Sequence, residues 1–154
     1  MPAAASCAPP HPIEEALSGS DSVFVGTVVG LANGNRIATF AVDEVWRGPD
    51  LPARTVVRGS PEENGITSVD RSWEAGGKYL VFAAVVNGDL ADNACSNTQI
   101  WSDDLAARRP SDARAPTDSG DSGSPGGLPS TLLLAVGMLA AIGLVSVLVF
   151  RKAG

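Results

Sequence analysis

Apolar and polar positions alternate in short runs over the first two thirds of the chain, and those runs predict strands. "SVFVGTVVGL" (22–31) is β-branched and apolar and stops at the turn-prone "ANGN". "RIATFAVDEVW" (36–46) puts Ala38, Phe40, Val42, Glu44 and Trp46 on one face, so the two runs form a hairpin about Asn33-Gly34. "RGPD" (47–50) is a turn, "RTVVR" (54–58) a short strand, and 59–77 a polar loop with Trp73 as its one large apolar residue. "KYLVFAAVV" (78–86) is a central strand, and "NGD" (87–89) turns it into a further short strand near Leu90. Helical signals are confined to two places. "PIEEALS" has Pro12 at a first helical position, Glu14 and Glu15 in the first turn, and Gly19 as a stop. "SDDLAARRP" offers Ser102 as N-cap, two acids in its first turn and two arginines in its last. About five short strands with two minor helices predict a mainly β domain, a small barrel or sandwich.

The pattern changes twice toward the C-terminus. "RRPSDARAPTDSGDSGSPGG" (108–127) holds no sizeable apolar residue and reads as a disordered stalk. Residues 131–150 then form an apolar stretch without charge or proline, long enough for a transmembrane helix, with Arg151 and Lys152 directly after it. The basic end is cytoplasmic by the positive-inside rule, which places the preceding domain on the outer side of a single-pass cell membrane span. The organisation expected is a leader remnant at 1–4, a folded domain at 5–109, a stalk at 110–130, a span at 131–150 and a cytoplasmic tail at 151–154. "AAA" (3–5) matches the small-residue region of a signal-peptide cleavage site, without the apolar run that precedes one. The alternative is a tail-anchored protein whose domain faces the cytoplasm. "LPSTL" (128–132) is similar to a sortase sorting signal, but Leu132 stands where that pattern has glycine.

Charge narrows the partners. A formal net charge of −6 and 5% aromatic residues argue against nucleic acid, which demands a basic face or a stacking surface. Two lysines against nine arginines, with abundant Ala, Val and Gly, suggest a high-GC bacterial source. Cys7 and Cys95 are the two cysteines, and in an exported domain they pair; in a cytoplasmic one they stay free thiols. His11 is the only histidine, so a zinc site lacks ligands and no Ser/His/Asp or Cys/His set can be assembled around a second one. No catalytic residue, metal ligand set or cofactor is expected. Trp46 and Tyr79 read as core or barrel-rim packing.

The segment "SCAPPHPIEEALSGSDSVFVGTVVG" (6–30) resembles the start of the tissue inhibitors of metalloproteinases, members of the netrin-like group. Cys7 stands at the second cysteine of their Cys-x-Cys, Pro9 to Pro12 match Pro-Pro-His-Pro, and Ser20-Asp21 match the Ser-Asp before the first strand. "EVWRG" and "YLVFAAVVNGDLADNACSNTQIW" are similar to later parts of the same pattern. The resemblance covers residues 5–109 and implies a five-stranded OB-type barrel with short flanking helices. It also implies that Cys7 bonds Cys95, and that a protease would be met by Ala5, Ser6, Cys7, Ala8 and Pro9. Ala5 replaces the first family cysteine, whose amine and carbonyl chelate the protease zinc, and its partner near Gly65 and Ile66 is missing as well. Leu17 replaces another, so two disulfides are absent as whole pairs. The reading that follows is a membrane-anchored binding module with a protein or envelope ligand, with metalloproteinase inhibition through the N-terminal segment as the alternative.

Overall fold

The computed structural model describes residues 7–60 and 67–117. Helix α1 (Ile13–Gly19) precedes strands β1 (Ser22–Ala32), β2 (Ile37–Arg47), β3 (Arg54–Arg58), β4 (Lys78–Val86), β5 (Asp89–Ala91) and β6 (Gln99–Ile100). A single-turn helix, α2 (Asp103–Ala106), follows. Hydrogen-bonded neighbours run β1-β2-β3-β5-β4, and β4 pairs back with β1, closing a five-stranded barrel. All pairings in it are antiparallel except β3–β5, and this connectivity fits an OB-type barrel. β6, which the sequence pattern did not mark, adds to the edge of β4 at Tyr79 and Leu80. Its two residues are too few for alternation to show.

Asn-Gly pairs make the hairpins. Asn33, Gly34 and Asn35, and again Asn87 and Gly88, all have positive φ, which the right-handed twist of the flanking strands demands and Asn and Gly tolerate. Gly48 closes the turn after β2 at φ 91°, where a Cβ would collide with the carbonyl of Asp21.

Two apolar layers result. The barrel interior gathers Phe24, Val28, Phe40, Val42, Val45 and Val81 about the buried Trp73 and Tyr79. Trp73 comes from the loop expected to be polar: its amide donates to the carbonyl of Asn35 and its ring drops into the barrel. Outside, Val23, Val25, Leu80, Phe82 and Trp46 form a second layer, covered by Ile13 of α1 and Leu105 of α2. Strict alternation placed Trp46 with Phe40. The β1–β2 register instead skips a residue between Val42 and Glu44 and another between Val45 and Arg47, so Val45 turns inward and Trp46 outward.

The domain also extends further than the sequence pattern indicated. Residues 110–117, read as the start of the stalk, lie on the barrel: Arg114 and Val45 exchange main-chain hydrogen bonds, and Thr117 and Ala53 are joined at 3.1 Å. Composition misled because the segment is held by polar contacts. Arg114 reaches Asp50 at 2.6 Å and the carbonyl of Gly48, with no large side chain to bury. Arg108 and Arg109, also counted in that stalk and in a last helical turn, lie beyond the end of α2 and pair with Glu14 and Glu44. The leader remnant, the rest of the stalk, the sorting-like segment, the apolar stretch at 131–150 and the tail lie outside the described residues.

Candidate functional site

Of the residues implicated by sequence, Cys7 and Cys95 meet. Cys7 and Cys95 are bonded, with Cα atoms 5.0 Å apart, across a separation of 88 residues. The bond ties the segment before α1 to the 92–98 loop between β5 and β6. Cys7, Ala8, Pro9, Pro10, His11 and Pro12 are all exposed. Three prolines with fixed φ stiffen the segment and remove donors that an extended exposed strand would leave to water. Ala5 and Ser6 lie outside the described residues.

A second pin was not legible in the sequence. The Asn97 side chain accepts from the amide of His11 at 3.2 Å and donates to its carbonyl at 2.7 Å. A primary amide carries both an acceptor and a donor, so one side chain can hold one residue's backbone as a neighbouring strand would. Nothing in the spacing of positions 11 and 97 reveals the pairing; only its position two residues beyond Cys95 hints at it. The His11 ring points elsewhere, with Nδ1 3.5 Å from Glu15 Oε1 on the exposed helix surface.

The loop that receives both pins is itself anchored from beneath. Asp92 has no exposed side-chain surface and lies 2.7 Å from Arg71 Nε. Arg71 also donates to the carbonyl of Asn93 and to Ser96 Oγ, tying the 67–73 loop to the 92–98 loop. Burial pushes the Asp92 carboxyl above its ordinary range, and the Arg71 guanidinium opposes that rise. Thr98 Oγ1 accepts from the amide of Phe82 at 2.8 Å, fixing the loop to β4. Nearby, a hydrogen bond from Thr67 holds Asp70 below its ordinary value, with further donors in Ser60 and Arg36.

The arrangement is an exposed ridge mounted on the 92–98 loop by one covalent and two polar links. Among the described residues no three His, Cys, Asp or Glu side chains gather where they could hold a metal ion. Trp46 and Tyr79 are buried in the two apolar layers, as their surroundings in sequence predict. Comparison with known protein families and with curated proteins finds no match.

Proposed function

We propose that the chain is a membrane-anchored, outward-facing binding module that engages a protein or envelope ligand through the ridge Cys7–Pro12. The observation that carries this reading is that the exposed run 7–12 is tied at Cys7 by the disulfide and at His11 by Asn97. Such pre-ordering lowers the entropy cost of association, so a short segment can bind well. A disulfide suits an oxidising compartment, and the apolar stretch followed by Arg151 and Lys152 supports the outward orientation. Binding rather than catalysis is favoured because His11, the one imidazole, faces Glu15 on the surface rather than a nucleophile.

The test is retention of a defined envelope component by the 154-residue chain in detergent, compared with Pro9→Gly/Pro10→Gly and with Cys7→Ser/Cys95→Ser. The reading expects saturable binding that falls at least tenfold in both variants. Equal binding by all three, or hydrolysis of the component that one side-chain change abolishes, would overturn it.

The second reading, metalloproteinase inhibition, draws on the same ridge and on the netrin-like resemblance of its residues. It requires Ala5 or Ser6 at the mature N-terminus, where an α-amine could approach a protease zinc. N-terminal sequencing of protein isolated from membranes decides this: any other first residue ends the inhibitor reading and leaves the binding module standing.

A further inference from the structure

Beside the ridge, between α1 and the strands β4 and β5, lies an open groove of about 580 Å³, a size at which proteins take small ligands or single side chains of a partner. Its floor is small and apolar. Ala84 is exposed there and pairs in register with Ala91 across β4–β5, while Phe82 and Ala83 lie beneath. Its walls are the ridge end at His11, the 92–97 loop with Cys95, and the end of α1 with Asp21.

The charge of this lining is one-sided. Glu15 and Asp21 are the exposed acids of the groove; the Asp92 side chain is fully buried against Arg71, and among the described residues no lysine or arginine lines the groove. The Asp21 carboxylate caps the exposed amide of Val85 at 3.0 Å, so it is held in place without a cationic partner at that contact. Glu15 is about two-thirds exposed, and its carboxylate lies 3.5 Å from His11 Nδ1. Arg71 balances Asp92 from behind the loop without lining the groove.

We infer that this groove receives a lysine or arginine side chain of the partner that the ridge engages. The fit is one of charge and shape together. An aliphatic stem lies along Ala84 and Ala91 while its cationic head reaches Asp21 and Glu15, the arrangement long basic side chains adopt on apolar surfaces. The chain's net charge of −6 steers a basic partner toward it. The inference rests on the ridge reading and adds the chemistry of the partner to it.

The test uses a fluorescent acetyl-Gly-Arg-Gly-Arg-Gly amide, with glutamine and glutamate versions, titrated into the 154-residue chain in detergent at low and high salt. The arginine peptide is expected to bind saturably and more weakly as salt rises. The glutamine and glutamate peptides should bind at least tenfold more weakly. Glu15→Gln/Asp21→Asn, which keeps an acceptor for the Val85 amide, and Ala84→Leu, which fills the groove from an exposed site, should each reduce arginine-peptide binding at least fivefold. Equal binding of arginine and glutamine peptides, or binding unchanged in both variants, would overturn the inference. If the envelope component is still retained through the ridge but ignores both groove variants, the groove assignment fails and the ridge reading stands. If retention ignores the ridge variants too, both fail.

Discussion

Inside the barrel, Phe40 meets Phe24, Trp73 and Tyr79 edge to face at 5.5, 5.0 and 6.3 Å, and all four rings are buried. The ridge Cys7–Pro12 has no buried residue, and is held by a disulfide and by one asparagine amide. Both regions are fixed, by different physics. Burial of aromatic surface gives a core that holds through many weak contacts, none of which is indispensable to the others. The ridge depends on a few specific links, so each of them is separately removable. The difference teaches how a small domain can hold an exposed segment in place: the order is imported from the loop at 92–98, which the Arg71–Asp92 pair fixes in turn.

Five changes probe that contrast. The largest effect belongs to the interior. Phe40→Ala removes the shared partner of three aromatic contacts and should cost about 3–5 kcal/mol in denaturant melts followed by tryptophan fluorescence. A cost below about 1 kcal/mol would mean the barrel is not organised around that ring. Next comes the bridge. Cys7→Ser/Cys95→Ser should lower stability by about 2–4 kcal/mol through the unfolded chain. Its local signature is the sharper readout: amide exchange should accelerate across Ala8–Gly19 while β1 and β4 stay protected. Uniform acceleration through the barrel strands would erase the distinction between the two regions.

Asn97→Ala removes two exposed hydrogen bonds and should cost about 1 kcal/mol, with its spectral changes confined to the ridge and the 92–98 loop. The smallest shifts are those read from the pH dependence of stability alone. The Asp70 carboxyl is held below its ordinary value of 3.8, so the folded protein releases that proton more readily. Its contribution is present above 3.8 and is lost as pH falls through the lower folded value. Asp92 has the opposite sign, because its folded value is raised: its contribution is greatest below 3.8 and is lost as pH rises through that raised value. Asp70→Asn should therefore flatten the acid limb of a stability–pH curve, and Asp92→Asn should not. The same flattening from both substitutions would contradict these assignments.

Local signals carried most of the barrel. β-branched runs, two Asn-Gly turns and a polar-to-apolar rhythm mark β1 to β5 because each depends on a few neighbouring residues. What escaped depends on distant ones. The bulges in β2 that exchange Val45 and Trp46 arise from pairing with β1, and a period of two cannot announce where it slips. Trp73 looked like an isolated residue in a polar loop because the space it fills is made by four strands. The docked segment 110–117 has the composition of a linker, yet its order comes from the hydrogen bonds and charges of Arg114. At the ridge, two cysteines in the whole chain made the bridge legible, whereas Asn97, the Arg71–Asp92 pair and the acidic groove join residues whose spacing carries no signal.

The most direct measurement is site-specific photo-crosslinking of the 154-residue chain in the cells that make it. A photoreactive side chain is placed at Ala8 on the ridge or at Val56, which is 53% exposed on β3 outside the 7–12 segment. A discrete partner adduct at Ala8, absent at Val56 and lost in Cys7→Ser/Cys95→Ser, is the result expected of a ridge held ready for binding. An adduct at Val56 but not at Ala8, or one at Ala8 that persists without the disulfide, would contradict it.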